Sequence, residues 1–226
     1  MSDFPIPQDG RLAEQFARVV DVERKIPRAL EELGPVSGRD VVLIGTVDGI
    51  PAQQLTALGA RLRVVPTIHG DRRRLRAASA DAIVAWWSGF RGVDPSELVA
   101  TDRVLRPGGR LLVVHDYGRD DVSGLRGDLP EYGSWSRRDG PFLSAGFRIR
   151  VLHCWWTFDS LEAMGAFLET GFGQAGRSLA ATLRRPRLSY NVAVYHRTKG
   201  AADALERADA SAEPAEREAT AVGAGT

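Results

Sequence analysis

Several places in the chain gather side chains able to bind a ligand or do chemistry. His115-Asp116-Tyr117 closes the apolar run RLLVVHD (110–116), so an imidazole and a carboxylate stand at an expected strand end. Open parallel sheets bind ligands at the carboxyl ends of their strands, and a histidine there can serve as a general base. The other reading is a histidine satisfied inside the fold. Trp86 and Trp87 end a second run, DAIVAWW (81–87). Strand neighbours face opposite ways, so one ring enters the core and the other can floor a pocket, unless both pack inside. Asp48-Gly49 follows a third run, VVLIG (41–45), and reads as a carboxylate at a strand end or as a plain turn. Arg61, Arg63, Arg72, Arg73, Arg74 and Arg76 form the one basic cluster. It could meet a phosphate, a carboxylate or an RNA backbone. No aromatic residues interleave to stack bases, so a solvated face is the better reading and nucleic acid is not an expected partner.

Other chemistries have less to stand on. The single Cys154 excludes an internal disulfide and a cysteine-built zinc site. The four histidines are scattered, none paired with another at ligand spacing, so no metal is expected. No serine stands in a Gly-x-Ser-x-Gly context, which leaves hydrolase chemistry without support.

The elements that must position these residues are readable from periodicity. Residues 11–33 carry apolar positions near helical spacing, with Pro27 expected to divide them into two helices and Gly34-Pro35 to end them. VVLIG is a continuous apolar, β-branched run, as in a strand buried on both faces. PAQQLTALGA (51–60) reads as a helix with proline in its first turn. RLRVVPTI (61–68), DAIVAWW and RLLVVHD follow as strands, and VATDRVL (99–105) as a helix. FRIRVLHCWWTF (147–158) and LSYNVAVYHR (188–197) are two late strands around the helix SLEAMGAFLETGFG (160–173). Residues 118–141 are polar and turn-rich, read as a loop with one short helix. Strands separated by helices predict an α/β fold with helices on both faces of a parallel sheet.

Several of these segments together resemble one family. TDRVLRPGGRLLVVHD (101–116) is similar to the stretch of class I S-adenosylmethionine-dependent methyltransferases in which a helix ends at a Leu-(Arg/Lys)-Pro-Gly-Gly turn and feeds the fifth strand. DAIVAWWS (81–88) looks like that family's fourth strand. His69-Gly70-Asp71 with Leu75 resembles its Gly-Asp-x-x-x-Leu stretch, whose acid contacts the adenine. The late pair of strands matches its sixth and seventh, the last antiparallel. The resemblance covers roughly residues 12–197. It implies a Rossmann-like sheet, S-adenosylmethionine as cofactor, and cofactor contacts from Gly45, Thr46, Asp48, Gly49, Asp71, Arg72 and Trp86. No catalytic residue follows from it.

The chain departs from the family in two places. The family's first loop reads Glu/Asp-x-Gly-x-Gly-x-Gly. Here Gly45 and Gly49 fit the first and third glycines, and Val47 stands at the middle one. A β-branched side chain there is expected to narrow the approach and to resist positive φ. The forty residues from Val41 to Asp81 are too few for two strand–helix units, so one such unit is expected to be missing. With it goes the acid that holds the ribose, and Pro66-Thr67 stands nearby instead.

At 226 residues and 43% hydrophobic the chain can bury one core. It has no apolar run of membrane-spanning length and no signal pattern, so a cytoplasmic protein without a membrane partner is expected. Residues 200–226 hold six acids and two arginines, a balance of −4 within a chain of net +1, leaving +5 on the rest. That segment has no large apolar residue after Leu205 and is expected to be disordered. The domain reading is a flexible start at 1–10, a methyltransferase-like domain at 11–199 and a tail at 200–226. The expected activity is methyl transfer to a small-molecule acceptor. An inactive methyltransferase-like binding or regulatory protein is the competing reading, and an RNA methyltransferase, resting on the arginines alone, trails.

Overall fold

The computed structural model describes residue 6 and residues 10–68, 75–127 and 130–200. Its centre is one six-stranded sheet in the order β2-β1-β3-β4-β6-β5. The strands are β1 (Asp40–Ile44), β2 (Arg61–Val65), β3 (Ala80–Trp86), β4 (Leu105–Asp116), β5 (Arg148–Thr157) and β6 (Arg187–Thr198). The pairs β1–β2, β1–β3 and β3–β4 are parallel, and β6 runs antiparallel to both β4 and β5. The expected parallel sheet with a final antiparallel strand is therefore present, with every predicted strand in place.

Val41, Val42, Leu43 and Ile44 are all buried, as a strand covered on both faces requires. Alternation then divides them. Val41 and Leu43 join the core beneath α1 (Gly10–Val19), α2 (Lys25–Leu33), α3 (Ile50–Ala57) and α8 (Leu161–Ala180). Val42 and Ile44 join the core on the other face, beneath α4 (Pro95–Val104) and α7 (Pro141–Ser144). Fully burying such a side chain contributes about 1.5–3 kcal/mol, so this one strand anchors both layers.

Three local expectations are corrected. The division between α1 and α2 falls at Asp21 and Arg24, which adopt φ +45° and +55°, and not at Pro27. The Asp21 carboxylate accepts hydrogen bonds from the amides of Lys25 (2.9 Å) and Ile26 (2.7 Å), starting α2. Pro27 sits in the first turn of α2, where its missing N–H costs nothing. The 118–141 stretch holds three short helices where one was expected: α5 (Asp121–Arg126), α6 (Pro130–Trp135) and α7. Finally, α8 continues past the expected end at 173, through a kink at Gly173 (φ +59°).

Between β1 and β3 the described residues hold α3 and β2 and nothing further, one strand–helix unit fewer than the resemblance implies. β2 is consequently the outer strand, and its exposed Arg61 and Arg63 protect that edge from pairing with other chains. In the Arg-Pro-Gly-Gly turn Gly108 has φ +75°. Gly109 is required for space, since a Cβ there would lie 2.9 Å from the Arg106 carbonyl oxygen. Asp71 and Arg72, most of the 1–10 start, and the acidic tail from 201 onward lie outside the described residues.

Candidate functional site

The chain runs from β1 outward to β2, then crosses back to place β3 on the other side of β1. The point where strand order reverses is therefore the gap between β1 and β3, and a crevice opens there at the carboxyl edge of such sheets. A cavity of about 360 Å³ occupies this position. One wall is the loop after β1 and the start of α3 (Asp48, Gly49, Ile50, Pro51 and Gln53). The opposite wall is α1, with Ala13, Glu14, Phe16 and Arg18, and Trp87 closes it from the end of β3.

Each part has a local cause. α1 is amphipathic, with Phe16 buried while Glu14 and Arg18 stay exposed. Gly10, Ala13 and Ala17 are small, so the helix leaves space where a larger residue would fill it. The loop after β1 is held by backbone: Gly45 N–H donates to the Val65 carbonyl (2.9 Å), and the Ser88 hydroxyl donates to the Ile44 carbonyl (2.5 Å). Gly49 begins α3 in an extended conformation (φ −73°, ψ 159°), without a side-chain cap on the helix.

At the end of β3, Trp87 (φ +52°) and Phe90 (φ +49°) are left-handed. Each costs about 1–3 kcal/mol, offset by burial of both rings. Trp87 stacks obliquely on Trp86 (5.6 Å) and on Tyr190 (6.4 Å). Tyr190 is fully buried, which pushes its phenol well above the usual value, and its hydroxyl donates to Asp116 (2.5 Å). Asp116 also pairs with Arg126 of α5. A buried polar group at the end of β4 thus supports the aromatic floor of the cavity.

The structure sorts the sequence candidates. Asp48 and Gly49 line the cavity, while Gly45 and the exposed Thr46 sit on the same loop without lining it. Trp86 and Trp87 are equally buried, each 2% exposed and packed in the core, but only Trp87 lines the cavity. Val47 is not among the residues lining the cavity. It is 70% exposed, and no residue from 45 to 49 has positive φ, so the loop is built without the conformations a glycine would be needed for. His115 is 1% exposed, donates to the Phe90 carbonyl (3.1 Å) and packs on Trp135, so it is a core histidine. Arg61 belongs to the opposite edge of the sheet, bonded to Asp40 (2.8 Å) and to the Gly38 carbonyl (2.5 Å). Glu14, Phe16, Arg18 and Gln53 were not singled out by sequence. The only signal was the small-residue spacing of Gly10, Ala13 and Ala17.

Among the described residues no group of three metal-ligating side chains is gathered, and no helix is long and apolar enough to cross a membrane. No family profile and no curated protein matches the chain in sequence. Solved structures are similar to it in fold. A candidate type II methyltransferase from Anaeromyxobacter dehalogenans is 18% identical, with 78% of this chain and 96% of that one covered at a TM-score of 0.47. A candidate methyltransferase from an antibiotic biosynthesis pathway of Anabaena variabilis is 13% identical (79% and 98% covered, TM-score 0.48). Geranyl diphosphate C-methyltransferase of Streptomyces coelicolor is 15% identical (77% and 79% covered, TM-score 0.41). The chain is similar in fold to these methyltransferase structures.

Proposed function

We propose that the cavity between α1 and the β1–α3 loop binds S-adenosylmethionine and that the chain transfers its methyl group to a small-molecule acceptor. The observation that carries this reading is the cavity's place at the switch point of the sheet, with Asp48 and Gly49 on its wall. The lining fits the amino-acid end of that cofactor. Arg18 can pair with a carboxylate, Glu14 and Asp48 with an ammonium, and Trp87 and Phe16 supply apolar surface. Asp71 and Arg72 are kept as contacts for the adenosine end. The bound cofactor supplies an electrophilic methyl group on a sulfonium. The chain's own part is to align acceptor and methyl and to exclude water. With His115 enclosed, an acceptor that needs no proton removed is the better fit.

A second reading, binding without methyl transfer, is favoured by one feature. The tip of β2 offers Pro66 and Thr67 and no acid for the ribose. Calorimetric titration of the full chain with S-adenosylmethionine and with its demethylated product tests the first reading. Binding is expected, and Asp48→Asn should weaken it about tenfold, as loss of a charge-assisted hydrogen bond does. No heat at millimolar cofactor would overturn the assignment. Binding without turnover on any amine, thiol or carbon acceptor would select the second reading.

A further inference from the structure

We propose that the amino-terminal edge of the sheet is an anion-binding surface and that its resident occupant is the acidic C-terminal segment of the same chain, residues 201–226. The parallel strands β1 to β5 all begin at this edge. The antiparallel β6 ends there, with Thr198 opposite Arg110 and His196 opposite Arg148. Lys199 is pinned at the same place: its N–H donates to the Gly109 carbonyl (2.9 Å) and its ammonium to the Leu105 carbonyl (2.7 Å). The tail therefore leaves the domain from this edge.

The acids described at this edge are already engaged. Asp40 is bonded to Arg61 and Arg106, and Asp81 to Arg106 (2.8 Å). Glu32 pairs with Arg150, Asp102 with Arg197, and Glu31 accepts the amides of Val36 and Ser37. Arg39, Arg103 and Arg148 are left exposed, with no carboxylate partner among the described residues. The surplus is felt inside the fold. Burial first, and then the charges of Arg110, Arg148 and Arg150, hold His196 below the ordinary imidazole value.

The tail has complementary charge and sufficient reach. It carries Asp203, Glu206, Asp209, Glu213, Glu216 and Glu218 against two arginines. Asp203 is four residues beyond Lys199, a reach of about 14 Å. Arg148 starts β5, and Arg110 of β4 stands opposite Thr198, so the two arginines flank the end of β6. Arg39, at the start of β1, is three strands from it, about 14 Å at the usual spacing. With no large apolar residue beyond Leu205, the contact is electrostatic and screened by salt. Its consequence is to keep polyanions off a domain that without the tail carries +5.

Heparin serves as the probe, titrated at low and at moderate salt against three forms. These are the full chain, the chain ended after Lys199, and a full-length variant with the six tail acids changed to Asn or Gln. Both altered forms should bind heparin about tenfold or more tightly than the full chain at low salt, the gap closing as salt rises. Adding Arg39→Ser, Arg103→Ser and Arg148→Ser to the shortened chain should abolish the gain without lowering its melting temperature. Equal heparin affinity with and without the tail acids overturns the proposal, as does a gain that survives the arginine changes.

Discussion

The ring of Trp87 lies 6.4 Å from that of Tyr190, centroid to centroid, so the floor of the cavity rests on a side chain with no solvent exposure. Beneath it, the Tyr190 hydroxyl donates to Asp116, which Arg126 also holds. Tyr190→Phe keeps the ring and removes one bond from a buried carboxylate. Leaving such a group short of a partner costs about 1–3 kcal/mol. Urea unfolding should show a loss in that range, and cofactor affinity should fall through the shifted Trp87. An unchanged unfolding midpoint would mean that Arg126 alone satisfies Asp116.

The Arg-Pro-Gly-Gly turn makes a second prediction, because its two glycines are there for different reasons. At Gly108 an added methyl group would have no atom of the described residues within 4 Å, and the cost of alanine is the left-handed φ of +75°, about 1–2 kcal/mol. At Gly109 the Cβ meets the carbonyl oxygens of Arg106 (2.9 Å) and Asp81 (3.1 Å). These are backbone atoms of the turn and of β3, which cannot swing aside, so Gly109→Ala should cost about 1–3 kcal/mol as overpacking does. It should also loosen β3 against β4, since the register between Ala80 and Ala82 shifts at this turn. Unfolding free energies of the two variants, with hydrogen exchange at Ala82, separate the two mechanisms.

Asp40 sets a pH dependence. Hydrogen bonds from Arg61 and then Arg106 hold its carboxyl at about 2, below the ordinary 3.8. A carboxyl depressed in the folded state contributes stability that is present above the unfolded value and lost as pH falls through the folded one. The window is therefore between about pH 4 and pH 2. Asp40→Asn should lower the melting temperature near neutral pH and flatten its fall across that window. Both effects should shrink in high salt, since the group is partly exposed. Melts followed by circular dichroism at several pH values check it.

The strands were legible because their patterns are local. VVLIG, DAIVAWW and RLLVVHD are apolar without interruption, which a two-sided parallel sheet demands, and their order with the Arg-Pro-Gly-Gly turn was enough for the fold. The break between α1 and α2 was misread because its cause is tertiary. Asp21 caps α2 while Val20 bridges to Trp156, and neither contact is visible in a helical repeat. The site was half legible for the same reason. Asp48 and Gly49 follow a strand and announce themselves, whereas Glu14 and Arg18 belong to a helix whose position over the cavity depends on packing against α8 and β5. Trp87 and not Trp86 lines the cavity because the strand ends between them. Trp87 turns to φ +52°, and simple alternation no longer applies.

The final prediction concerns Val47, where an obstructing side chain and a loop that leaves it outside the cavity give opposite signs. If the side chain obstructed the cofactor, Val47→Gly would remove bulk, free φ and tighten binding. In the structure Val47 is 70% exposed, lies outside the cavity lining and has no need of positive φ. Glycine then gains no space and adds disorder to a loop that must hold Asp48 and Gly49 in place. The entropic penalty of such a change is about 0.4–1 kcal/mol, so affinity for S-adenosylmethionine should fall, by no more than about fivefold, with the unfolding midpoint slightly lowered. Titration of both forms decides between the signs. Tighter binding by Val47→Gly would show that the loop turns inward on ligand binding and that Val47 meets the cofactor there. Unchanged or weaker binding leaves Asp48, Gly49 and α1 as the walls that matter.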